Sequence, residues 1–298
     1  MSKRGTIRAG IGGWTFEPWR GVFYPEKLPQ AKELQFASRA LSTIEVNGTY
    51  YRSQTPATFA KWAKDVPESF VFSLKGPRFA TNRRVLAEAG DSIKRFLDSG
   101  PTMLAEKLGP ILWQFAPTKK FDAADFGAFL ELLPEKFDGT KLRHTVEVRH
   151  PSFKDEAFVT LVRSFNIPVV YADHPTYPAI SDLVGDFVYA RLQKGEDDNP
   201  TCYPKRDLAS WVDAAQTWAE GGLPERVAKD CAAPAQTNER RPRDVFVYFI
   251  HGGKIRAPTA AQAFMQSIDG AIGTPDATPP PEKLPAAKTA IKKTKKKT

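Results

Sequence analysis

Short apolar runs recur along this chain, and almost every one stops on a polar or charged side chain. They cover residues 8–13, running into Trp14; 43–47, ending Ile-Glu-Val-Asn; 70–75, ending Ser-Leu-Lys; and 111–115, containing Gln114. Four more follow: 145–150, reading Val-Glu-Val-Arg-His; 168–173, ending Tyr-Ala-Asp; 187–192, containing Arg191; and 245–251, ending on His251. Strand interiors favour β-branched and aromatic residues, so a charge recurring at strand ends needs a cause. A barrel of parallel strands supplies one, because all the carboxyl ends open onto one shared pocket.

Helix-like stretches separate the runs. They span residues 33–41, 56–65 (opening on Pro56, which suits a first helical turn), 90–100 with 102–108, 123–133, 155–165, 207–220 and 257–268. In 123–133 the residues Phe126, Phe129, Leu130 and Leu133 fall at helical spacing. Alternation of strand and helix predicts a parallel sheet, and eight repeats favour a closed α/β barrel, a single (β/α)₈ domain over residues 6–270. Gly10-Ile11-Gly12-Gly13 lacks the third glycine of a dinucleotide-binding turn. Residues 221–244, with Pro224, Pro234 and Arg240–Arg243, read as an inserted surface loop.

The chain of 298 residues has a net charge of +9 that is unevenly spread. Residues 271–298 hold seven lysines against Asp276 and Glu282, a balance of +5, which leaves +4 on the rest. This Lys/Pro/Ala-rich tail has no apolar period and is expected to be disordered. It either attracts a polyanion such as nucleic acid or merely solubilises. Cys202 and Cys231 lie in polar stretches, which argues against a disulfide framework and for a reducing compartment. With no signal-like leader and no run of 18 apolar residues, a cytoplasmic protein without membrane contact is expected.

Several motifs, in order, resemble those of the YecE-like family of uncharacterised barrels, domain of unknown function 72. They are Gly-Gly-Trp-Thr-Phe-Glu-Pro-Trp-Arg-Gly-Val-Phe-Tyr-Pro at 12–25, Ile-Glu-Val-Asn-Gly-Thr-Tyr-Tyr-Arg at 44–52 and Phe-Ser-Leu-Lys-Gly-Pro-Arg at 72–78. Then come Leu-Trp-Gln-Phe-Ala-Pro at 112–117, Val-Glu-Val-Arg-His-Pro-Ser-Phe at 146–153, Tyr-Ala-Arg-Leu at 189–192, Tyr203 and Val-Tyr-Phe at 247–249. The resemblance implies a TIM-type barrel and no established activity. This chain departs from the family pattern at Asn82 and Gln193, where histidines are usual, at Ile250-His251, where an asparagine pair is usual, and at Phe153, where tryptophan is usual.

Side chains two apart on a strand point the same way, so Glu45 with Asn47 and Glu147 with Arg149 should face the barrel interior, their apolar neighbours facing the helices. A buried charge needs a partner. Glu45, Glu147 and Asp173 are candidates for acid/base work, one paired and one with a raised pKa. On that view Glu147→Gln should abolish turnover and leave melting nearly intact. Lys75, Arg149 and Arg191 would clamp an anionic or sugar-like ligand. Trp14, Asn47, Tyr50, Gln114, Tyr203 and His251 would orient it, while Trp113 is expected in the core. No cofactor is predicted. Glu147, Asp173 and His251 offer the alternative of a divalent metal site. Three readings stay open: an enzyme on a small polar or anionic substrate, a nucleic-acid-binding or metal-dependent phosphodiesterase-like barrel using the tail and Arg240–Arg243, and a non-catalytic ligand sensor.

Overall fold

The computed structural model describes residues 4–234 and 240–268. Its strands are β1 (Ile7–Gly12), β2 (Thr43–Val46), β3 (Val71–Lys75), β4 (Leu108–Gln114), β5 (His144–Glu147), β6 (Tyr171–Asp173), β7 (Phe187–Leu192) and β8 (Asp244–Phe249). All pair in parallel in the order β5-β4-β3-β2-β1-β8-β7-β6. A bridge between Val146 and Val169 joins the two ends into a ring. There the Val146 N–H donates to the Pro168 carbonyl (3.1 Å) and the Val170 N–H to that of Val146 (2.9 Å).

The helices Glu33–Ala40, Pro56–Asp65, Gly90–Asp98, Ala123–Glu131, Glu156–Ser164, Lys205–Ala219 and Ala257–Gln266 form the outer layer. Local chemistry fixes several starts. Thr55, Asp122 and Asp155 each accept a backbone N–H of the first turn. Capping of this kind is worth about 1 kcal/mol apiece.

The sequence pattern fails after β6. Residues 174–186 cross to β7 without a helix, so the outer face of β6 is covered from elsewhere. Tyr171 packs on Trp211 and Trp218 and donates its hydroxyl to Asp230 (3.0 Å). Ser181 donates to the carbonyl of Val227, a buried residue of the short helix Glu225–Ala228. The first half of the expected surface loop is therefore structural cover: it replaces the missing helix. At its far end Arg243 is buried and donates to the carbonyls of Gly185, Gly221 and Arg241. Arg241 likewise donates to the Gly185 carbonyl. Both guanidiniums hold the chain to itself, and that of Arg243 is buried. The basic tail lies outside the described residues. Among the described residues no helix is long and apolar enough to cross a membrane.

The two-residue alternation sorts each strand. Ile44, Val46, Leu74, Trp113, Val146 and Val148 pack outward against the helices. Val71, Leu112, Val170, Phe187, Tyr189, Phe246 and Tyr248 form a separate apolar cluster inside the barrel. Trp113 is fully buried between Phe96, Phe129 and His144, as expected. The inner apolar plug fills the amino-terminal part of the barrel, so the polar strand ends gather at the other mouth.

Candidate functional site

One side chain or backbone position at the carboxyl end of every strand lines a single cavity of about 380 Å³: Gly12, Asn47, Lys75, Gln114, Arg149, His174, Arg191 with Gln193, and Ile250. Trp19, Tyr51, Tyr177, His251 and Lys254 complete its rim.

Its floor is an ion network. Glu45 and Glu147 are both fully buried, and Arg191 lies between them. Arg191 Nε and Nη2 each donate to Glu45 at 3.1 Å, while Nη1 donates to Glu147. Tyr189 adds a hydroxyl to Glu45 at 2.8 Å. Arg149 donates Nε and Nη2 to the other oxygen of Glu147, at 3.1 and 2.8 Å. Buried charges survive only when paired in this way. Burial alone would raise the Glu147 carboxyl, but Arg191, Arg149 and Lys75 outweigh it and hold it below the usual carboxylate range. Burial pulls Arg191 down, and Glu147 and Glu45 more than reverse that. Glu147 is thus a fixed anion with no proton to give near neutrality. Arg191, expected as a ligand clamp, spends its donors on the two glutamates. The reading of Glu147 as the proton donor loses its premise.

Lys75 differs. It is buried, and its Nζ donates to Gln114 Oε1 at 2.6 Å and lies 4.8 Å from the centre of the Tyr50 ring. Among the described residues no carboxylate forms a salt bridge with it. Burial lowers its pKa, Glu45 and Glu147 counter this in part, Arg191 and Arg149 reinforce it, and the result is about 8. Thr49 pins its backbone, accepting from Lys75 N–H and donating to its carbonyl.

Asp173 does not join the cluster. It shares the outward face of β6 with Tyr171, pairs with Lys194 at 2.9 Å and accepts from the Tyr203 hydroxyl at 3.5 Å. Tyr203 packs on Phe249, a residue of the cavity wall, and does not itself line the cavity. Trp14 packs edge-on against Trp62 and Phe72 instead of lining the mouth. The tryptophan that does line it is Trp19, whose indole N–H donates to the Lys254 carbonyl at 2.8 Å. With Asp173 turned away, the metal triad of Glu147, Asp173 and His251 does not converge. Among the described residues no group of three or more His, Cys, Asp or Glu side chains is placed to hold a metal ion. His144, at the opposite end of β5, accepts from the Trp113 indole and contacts the Pro134 carbonyl, and burial pushes its pKa down to about 4.

Sequence reasoning missed His174, Tyr177 and Gln193. His174 stacks on Tyr177 at 3.7 Å, and the Arg149 guanidinium lies over that same ring at 4.7 Å. Gln193 is buried, and its Nε2 has no hydrogen-bond partner among the described residues. Strand alternation could have found Gln193, which follows Arg191 at the two-residue step; His174 shares the ambiguity of the apolar run before it.

A larger cavity, about 470 Å³, opens at the amino-terminal end beside Arg143, His144 and Asp186. Two of its charged side chains are paired, Arg143 with Asp244 and Lys141 with Asp186. In barrels of this type the stabilising end is that one, and chemistry belongs at the carboxyl ends.

The molecule is therefore a parallel α/β barrel with a polar cavity at the carboxyl-terminal mouth. It belongs to the DUF72 family, described as "Protein of unknown function DUF72", whose sequence profile matches residues 8–284. A DUF72 family protein of Thermotoga maritima MSB8 superposes with a TM-score of 0.64 at 20% identity, over 88% of this chain and 98% of that one. A DUF72 family protein of Enterococcus faecalis V583 gives 0.64 at 17% identity, over 88% and 95%. The UPF0759 protein YunF of Bacillus subtilis is 28% identical over 116 residues, which are 37% of this chain and 40% of that protein. The match thus spans less than half of that relative.

Proposed function

We propose that the barrel mouth binds a small polar ligand carrying an anionic group, a phosphate or a carboxylate. The observation that carries this reading is the surplus of donors. Lys75, Arg149 and Arg191 face two carboxyl groups, Glu45 and Glu147, since Asp173 is engaged outside. Gln193 Nε2 adds a buried donor with no acceptor among the described residues. A buried donor left unmatched costs about 1–3 kcal/mol, so a ligand oxygen that satisfies it binds with that gain. Arg149 and Lys75 supply charge, and Asn47, Gln114 and His174 supply orientation around it.

The test is a thermal-shift titration of the full chain with inorganic phosphate, sugar phosphates and small carboxylates, beside Arg149→Ala. A ligand at 100 times its Kd stabilises by about 2.7 kcal/mol. A melting shift in the parent chain that is lost in a folded Arg149→Ala variant supports the reading. Equal shifts in both, or none with any anion, would overturn it.

A further inference from the structure

We propose that Lys75 is a Schiff-base-forming residue: its amine condenses with the carbonyl group of a small anionic aldehyde or ketone, such as an oxo acid or a phosphorylated sugar. This rests on the anion-binding reading above and names the substrate class for the same cavity.

Lys75 ends β3, and its Nζ is aimed by Gln114 Oε1 at 2.6 Å, across from Arg149 and beneath the open mouth. A lysine kept for structure would meet a carboxylate, as Lys107 meets Glu68 and Lys119 meets Asp125 elsewhere in this fold. Among the described residues the Lys75 amine meets only a neutral amide and the face of Tyr50. The two carboxyl groups nearby are occupied by Arg191 and Arg149, so they soften its charge without taking its protons. Desolvation and neighbouring cations are the conditions under which a lysine becomes a nucleophile. With a pKa near 8, about a tenth of the molecules carry the free amine at pH 7, against well under a thousandth for an ordinary lysine.

The chemistry balances with the groups present and solvent. The Nζ lone pair attacks the carbonyl carbon, the C=O π pair moves to oxygen, and one proton passes from Nζ to that oxygen to give a neutral carbinolamine. Loss of that hydroxyl as water, with one proton taken from solvent, leaves the C=N bond between Nζ and the former carbonyl carbon. The resulting iminium keeps one positive charge beside Glu45 and Glu147, which already balance a cation at this point. Arg149 and the Gln193 amide are placed to hold the ligand's acid group while Nζ reaches the carbonyl.

The experiment is reductive trapping. The full chain is incubated at pH 7 with glyoxylate, pyruvate or dihydroxyacetone phosphate, reduced with borohydride, digested and mapped by mass. The expected result is one dominant adduct on Lys75, heavier by the carbonyl compound less one oxygen, favoured over exposed lysines by on the order of tenfold or more. Excess phosphate should suppress it, and Lys75→Met and Lys75→Arg should lack it. Mapping of the parent chain identifies the lysine even if a variant folds poorly. If phosphate stabilises the protein but Lys75 stays unlabelled by all three compounds, the Schiff-base assignment is overturned and the anion reading stands. If neither stabilisation nor labelling occurs, both are overturned.

Discussion

Replacing Lys75 by Met should change how stability depends on pH, in a direction set by burial. In the folded chain the lysine titrates near 8, whereas in an unfolded chain it titrates near the ordinary 10.5. Between these values the unfolded state binds more protons, so stability rises with pH through that window. Below pH 8 the native state bears the full cost of a charged, desolvated ammonium, roughly 3 kcal/mol. The variant has no such group. Its stability relative to the parent should therefore be greatest and flat below pH 8, then decline as pH rises. From pH 7 to pH 10 the parent should regain about 2.5 kcal/mol on the variant, or roughly 5–10 °C of melting temperature for a domain of this size. The buried tyrosines Tyr189 and Tyr248, whose pKa values burial raises, destabilise both proteins alike at alkaline pH and cancel in the difference. Chemical denaturation of both proteins at half-unit pH steps measures it. Parallel curves, with a gap constant to within about 0.5 kcal/mol, would refute the idea that Lys75 is desolvated and without a carboxylate partner.

Glu147→Gln should lower stability by about 3–5 kcal/mol, because it leaves Arg149 and Arg191 with one carboxyl group between them; a melting point within 2 °C of the parent would contradict this. That outcome replaces the expectation from sequence that melting stays nearly intact. The Glu147 contribution should also fade in acid. Its folded pKa is depressed, so its stabilisation is present above the ordinary glutamate value and is lost as pH falls through the lower folded one, which a denaturation series from pH 6 to pH 2 reads directly. Arg243→Met should cost several kcal/mol, since three backbone carbonyls lose their buried donor, at about 1–3 kcal/mol each before relaxation; it should leave DNA retention on a heparin-type column unchanged, and weakened retention would restore a nucleic-acid role for that segment.

The barrel was legible in the sequence because the strand runs carry both signals at once, an apolar interior and a polar end. Glu45, Glu147, Lys75, Gln114 and Arg191 could be placed inside by counting twos from flanking isoleucine, valine and leucine. Asp173 could not, because β6 is apolar on both faces: Val170 packs inside and Tyr171 outside, so the run itself does not say which way Asp173 points. Its direction is decided by Trp211 and Trp218, which lie about forty residues later and draw Tyr171 outward. Trp14 misled for a related reason. Gly13 adopts a φ of +74°, and that left-handed turn carries the next side chain over the helix layer towards Trp62. The missing helix after β6 had no positive signature, since the segment that replaces it is rich in proline and glycine and resembles an ordinary loop.

The join between β5 and β6 bears on how the barrel breathes. Neighbouring strands β4 and β5 match over four residue pairs, whereas the ring closes through the bridge of Val146 and Val169. A ladder this brief is the place where a closed sheet parts at least cost, and amides there should exchange with solvent ahead of those in β1 and β8. Arg149 follows one side of the join and His174 the other, both stacked on Tyr177. Parting the seam would widen the mouth between those two side chains, held in check by the Arg191–Glu147 pair that reaches from β7 to β5 across it.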